Sequence, residues 1–133
     1  MNDEVKVALV TGATRGIGKA IALKLAAQGF VVAGTATSQS GADSISEYLS
    51  AAGNGGKGFA LDVTDAEQVA AVVKQISDAF AAPTVVVNNA GITKDNIMLR
   101  MKDDEWHSVI DTNLNAAYRV VKACIKGMVK ARW

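Results

Sequence analysis

Thr11-Gly12-Ala13-Thr14-Arg15-Gly16-Ile17-Gly18, Asp62-Val63, Asn88-Asn89-Ala90-Gly91 and Asn113 are the residues here whose types and spacing can do chemistry. Glycines between an apolar run and a helical pattern leave backbone amides free to surround a phosphate. The start of a helix adds partial positive charge at the same place. On this reading Gly12 permits a tight turn, Gly16 lets a pyrophosphate approach and Gly18 lets the helix pack closely. Ala13, Thr14, Arg15 and Ile17 complete the phosphate-binding stretch. The spacing is Gly-x-x-x-Gly-x-Gly, which differs from the commoner Gly-x-Gly-x-x-Gly dinucleotide fingerprint. Taken alone, a glycine-rich turn is often only a turn.

The other signals fit the same chemistry. A site for unphosphorylated NAD wants an acid after the second strand, to bond the ribose hydroxyls. This chain has Gly34-Thr35-Ala36-Thr37-Ser38 there. A 2′-phosphate would meet no repulsion, and Arg15 with Thr37 could donate to it. Against that stands the plain reading of Arg15 as a solvated loop charge and Thr37 as a turn residue. Asp62 could accept from an adenine amino group while the Val63 amide donates to the ring, or Asp62 could be only a turn residue. Asn89, Ala90 and Gly91 follow the fourth strand, beside the crevice where the strand order should reverse. Ligands sit there in open α/β sheets.

The elements that must position these residues are short and alternate regularly. Strands are expected over residues 5–10, 30–34, 58–61 and 84–87, each an apolar run bounded by turn signals. Helical spacing runs from Lys19 to Gln28, from about Ala42 to Ala52, and from a Thr64-Asp65-Ala66-Glu67 capping box through Val69, Val72, Val73, Ile76 and Phe80. Acids at Asp103, Asp104 and Glu105 suit another helix start. From Leu114 the residues Ala117, Val121, Cys124, Ile125 and Met128 form a long apolar stripe. Strand alternating with helix predicts an α/β sheet covered on both faces.

Size and charge bound the remaining possibilities. The chain has 133 residues, 50% of them hydrophobic, which fits one domain with a substantial core. A net charge of +1 gives no bulk field for nucleic acid or an anionic membrane. No apolar run approaches the roughly 20 residues of a membrane span. The acidic start Met1-Asn2-Asp3-Glu4 is unlike a secretory signal, and the one cysteine, Cys124, fits a reducing cytoplasm. His107 is the only histidine, so no His-based metal site is expected.

With those residues quoted, the chain resembles the short-chain dehydrogenase/reductase family. Thr-Gly-x-x-x-Gly-x-Gly, Asp-Val, Asn-Asn-Ala-Gly and the later Asn stand in the family's order. The resemblance implies a Rossmann-type doubly wound parallel sheet with helices on both faces, in strand order 3-2-1-4 over the part given. Within the family, the segments 7–12, 34–38, 91–96 and 100–106 are similar to the ketoreductases of fatty-acid elongation. That likeness implies NADPH as cofactor and reduction of a 3-oxoacyl thioester on acyl carrier protein to the 3-hydroxyacyl form. It implies that Asn113 kinks its helix and holds a water of the proton relay. Arg132 matches the position of a family residue that docks the carrier, with a basic helix face at Arg119, Lys122, Lys126 and Lys130. The bland alternative for that face is solvation. The apolar stripe is either core or the helix pairing through which family members form dimers and tetramers.

The family's catalytic Ser and Tyr-x-x-x-Lys are not among these residues. Tyr118-Arg119-Val120-Val121-Lys122 matches the letters, but it lies on the helix of Asn113 with no Ser before it. A Tyr and a Lys four apart on a helix are ordinary neighbours. Residues 1–133 are therefore expected to be the dinucleotide-binding part of one domain within a longer polypeptide, unstable if made alone. Competing readings are a reductase for acetoacetyl-coenzyme A or another carbonyl, and a non-catalytic nucleotide-binding protein. A methyltransferase would want an acid where Thr37 stands.

Overall fold

The computed structural model describes residues 5–133. Four parallel strands, β1 (Val7–Val10), β2 (Val31–Ala36), β3 (Lys57–Ala60) and β4 (Pro83–Val87), form one sheet in the order β3-β2-β1-β4. The helices are α1 (Gly16–Ala27), α2 (Gln39–Ala52), α3 (Ala66–Ala79), α4 (Asp103–Val109) and α5 (Ala116–Ala131). A 3₁₀ turn at Met98–Arg100 precedes α4, and a π-helical stretch at Ile110–Asn115 joins α4 to α5. The expected order and the doubly wound layering are what the structure has.

Each strand feeds both layers because successive side chains point to opposite faces. Val10, Val32 and Ala36 pack with Ala22 and Ala26 of α1 and Ile45 and Leu49 of α2. Val7, Leu9, Ala33 and Phe59 pack with Val69, Val72, Val73 and Ile76 of α3 and Ala116, Val120 and Cys124 of α5. Leu9 and Ile45 are fully buried, one in each layer. Burying a side chain of that size contributes about 1.5–3 kcal/mol. A strand covered on both faces needs no polar face, hence the unbroken Val-Ala-Leu-Val of β1.

Several boundaries differ from expectation, among them the start of α2 at Gln39 and the end of β2 at Ala36, and two of the differences have local reasons. α1 starts at Gly16, three residues before Lys19; its first turn carries two glycines, Gly16 at φ +62° and Gly18, and an exposed Ile17, so it shows no apolar period. α3 is capped by Asp65 rather than Thr64. The Asp65 carboxylate accepts from the Glu67 and Gln68 amides at 3.0 and 3.2 Å, while the Thr64 hydroxyl is occupied by Asp62. Among the described residues no helix is long and apolar enough to cross a membrane.

Candidate functional site

Parallel strands bring their C-terminal ends to one edge, and the loops there carry nearly every residue singled out above. The glycine turn leaves β1 at Thr11 with Gly12 at φ +64°. Its inner backbone groups are all occupied by the protein. The Gly12 amide donates to Thr35 Oγ1 at 3.3 Å and the Ala13 amide to the Thr35 carbonyl at 2.9 Å. The Gly12 carbonyl accepts from Asn89 Nδ2 at 2.9 Å, and the Ala13 carbonyl accepts from the Tyr48 hydroxyl at 2.6 Å. A Cβ on Gly18 would overlap the Gly12 carbonyl and come within 2.5 Å of Asn89 Nδ2, so α1 can approach the turn only with glycine there. Around Gly16 the space is open. No side chain caps α1 and no acid stands in its first turn, which leaves its first amides to solvent or to an anion.

A groove of about 1030 Å³ runs along this edge. Gly12, Thr14 and Arg15 form one end of its wall, with Thr37, Ser38, Ser40 and Ser44 beside them. Asp62, Val63 and Thr64 continue it, and Asn89, Ala90, Gly91 and Ile92 close the other side. Ala13 is buried beneath the turn and Gly18 is buried in the helix contact, while Gly16 and Ile17 project beyond the wall. No carboxylate follows β2: the residues there are hydroxyl-bearing, and the exposed Arg15 faces the same groove.

Two further residues fix the far side. Thr11, with 1% of its surface exposed, accepts through Oγ1 from the Asn89 and Ala90 amides at 3.1 and 3.0 Å. Asn113 lies in the π-helical stretch, the kind of helical irregularity that recurs at functional sites. Its Oδ1 accepts from the Ile92 amide at 2.8 Å and its Nδ2 donates to the Ile92 carbonyl at 2.9 Å. Both ends of the amide are thus spent on the loop after β4. The residues that sequence reasoning passed over are Thr11 as a hub, Thr35 and Tyr48. A threonine amid the buried residues of β2 was the available signal, since a buried hydroxyl needs a partner.

The charges around the groove are locally balanced. Asp62 Oδ1 accepts from the Thr64 hydroxyl at 2.6 Å and the Thr64 amide at 2.9 Å. These two bonds, the hydroxyl first, hold its carboxyl below the ordinary 3.8. Asp111 is lowered likewise, chiefly by Arg119, which donates to it at 2.6 Å, and then by Asn115. Arg119 also reaches the Val63 carbonyl at 3.5 Å, so it belongs to this bracing and not to a free basic face. Lys122, Lys126, Lys130 and Arg132 are exposed. Tyr118 is 65% exposed with Lys122 Nζ 5.6 Å from its ring centre, the geometry of surface neighbours. Cys124 is buried and its thiol is pushed up to about 11 by burial, which suits packing and not attack on a substrate.

Comparison with known proteins agrees with this geometry. The short chain dehydrogenase family model matches residues 6–133. The chain is 58% identical over 133 residues to the 3-oxoacyl-[acyl-carrier-protein] reductase FabG of Pseudomonas aeruginosa, covering all of this chain and 54% of that protein. To the same-named reductases of Vibrio harveyi and Escherichia coli (strain K12) it is 57% and 52% identical over 132 residues, 99% of this chain and 53% of each relative. The chain therefore spans about half the length of the curated relatives it matches. Glycine turn, parallel sheet, Asn-Asn-Ala-Gly loop and family model agree, and the chain belongs to the short-chain dehydrogenase family.

Proposed function

We propose that residues 1–133 are the cofactor-binding part of an NADPH-dependent ketoreductase that reduces 3-oxoacyl-ACP to 3-hydroxyacyl-ACP. The observation that carries this reading is the single groove shared by the glycine turn, the acid-free end of β2, Asp62-Val63 and Asn89–Gly91. The residues present fit a phosphorylated dinucleotide. The uncapped start of α1 and the open space at Gly16 suit the pyrophosphate, with Ala13, Thr14, Ile17 and Gly18 shaping the turn. Arg15, Thr37 and the serines beside it suit a 2′-phosphate, which an acid at that point would repel. Asp62 and Val63 suit the adenine, with one oxygen of Asp62 turned to Thr64. Asn89, Ala90 and Gly91 line the end left for the nicotinamide.

When bound, NADPH supplies the hydride for the keto carbon. This chain's residues hold and orient the cofactor. Asn113 fixes the Ile92 loop, and because its side chain is spent there, a water of the proton relay would be held from its backbone. The substrate assignment rests on the relatives' names, which specify 3-oxoacyl-[acyl-carrier-protein] reductase. Lys126, Lys130 and Arg132 form an exposed basic end of α5 suited to an acidic carrier protein. The outward stripe Leu114, Tyr118, Val121, Ile125 and Val129 suits pairing with a second copy, as a homodimer or homotetramer. A single buried thiol suits a reducing cytoplasm.

The test is loss of NADPH absorbance on addition of a 3-oxoacyl-ACP to the protein at its natural full length. Faster turnover with the ACP thioester than with acetoacetyl-coenzyme A supports the reading. Turnover of the coenzyme A thioester alone would move the substrate to the runner-up, and no oxidation with either would overturn the enzyme assignment.

A further inference from the structure

We infer that Tyr48 is a positioning residue: through the Ala13 carbonyl it sets the phosphate-binding turn and links it to the ribose side of the groove. The inference rests on the dinucleotide reading above. Of the four backbone groups at Gly12 and Ala13, two are held by β2 and one by Asn89. The fourth, the Ala13 carbonyl, is held by α2, through the Tyr48 hydroxyl at 2.6 Å. α2 also supplies Ser40, Gly41 and Ser44 to the groove wall. Tyr48 follows Ser44 by four residues and so lies on the same helix face, one turn deeper. One rigid helix therefore touches both the surface suited to a ribose phosphate and the carbonyl that fixes the pyrophosphate turn.

The surroundings favour a fixed contact. The Tyr48 ring packs against the α1–α2 core, and Lys19 Nζ lies 5.1 Å above it. Burial pushes the phenol up to about 12, so the hydroxyl remains a donor across the working pH range. A donor that stays protonated over that range and a carbonyl in a tight turn make a link that does not change with pH there. Without it the Ala13 carbonyl loses its partner, and although the Gly12 and Ala13 amides stay on Thr35, the segment that follows, Thr14 to Gly16, is held less firmly against a bound phosphate.

The test uses Tyr48→Phe in the full-length protein, which keeps the packed ring and removes only the hydroxyl. NADPH and 2′-AMP are titrated against both forms, the second ligand having the phosphorylated ribose but no pyrophosphate. The NADPH dissociation constant should rise roughly threefold to tenfold while that of 2′-AMP stays within about twofold. Equal weakening of both ligands would mean general loosening and would overturn the inference, as would no change in either. A wild-type protein that binds neither ligand would instead overturn the dinucleotide reading itself.

Discussion

At the scale of single residues, the groove depends on hydroxyls and amides that hold loops in place. The Thr11 hydroxyl accepts from the Asn89 and Ala90 amides at a position with 1% exposure. Thr11→Val keeps the shape, strands the Ala90 amide and leaves the Asn89 amide only the Val87 carbonyl at 3.1 Å, so unfolding stability should fall by about 1–3 kcal/mol, with Thr11→Ser close to wild type. Urea unfolding of the full-length protein measures this, and equal stability of the valine and serine variants would contradict it. Asp62 gives a second test. Its folded-state pKa is depressed, so the stability it contributes is complete above its unfolded value and is lost as pH falls through the lower folded value, in the acid range below 3.8. Thr64→Val removes the hydroxyl, the largest of the causes that lower it. The carboxyl titration followed by NMR should then move up toward 3.8, and an unmoved titration would show that the hydroxyl does not hold it.

At the scale of elements, the closest contact is between α2 and β3. A Cβ on Gly58 would overlap the Ala42 carbonyl and stand 2.8 Å from Ile45 Cβ. Backbone cannot yield as a flexible side chain does, so Gly58→Ala should push α2 off the sheet at a cost of about 1–3 kcal/mol. Thermal unfolding tests it, and an unchanged midpoint would mean that α2 is less firmly seated than its contacts indicate. The four strands and their order were legible because doubly buried strands are continuous apolar runs and their spacing admits only short crossovers. The start of α2 was not legible. Its first turn, Gln39-Ser40-Gly41, is polar and opens onto the groove, so it lacks the apolar period that marks Ile45 and Leu49. The π-helical stretch was equally hidden, since one extra residue per turn leaves no compositional trace. Only the resemblance singled out Asn113 as the place where the helix is distorted. The site itself was read as separate motifs. The pieces that join them, Thr11, Thr35 and Tyr48, each make their point through one polar atom in an apolar setting. Such atoms are visible only once the fold brings their partners close.

At the scale of the whole molecule, two surfaces remain open among the described residues. β4 is paired with β1 alone, with Val85, Val86 and Val87 half-buried. α5 turns Leu114, Tyr118, Val121, Ile125 and Val129 outward. An apolar strand edge and an apolar helix stripe both favour association. In the full-length protein Ile125→Glu should therefore lower the molar mass found by light scattering while leaving the melting temperature of the subunit little changed, and an unaltered mass would remove α5 from the subunit contact. The central claim is that the groove at the C-terminal ends of the strands takes a dinucleotide carrying a 2′-phosphate. Its most direct test is calorimetric titration of the full-length protein with NADPH and with NADH. The account predicts that NADPH binds at least about tenfold more tightly, the worth of charge-assisted bonds from Arg15 and the neighbouring hydroxyls. Equal affinities, or tighter binding of NADH, would contradict it.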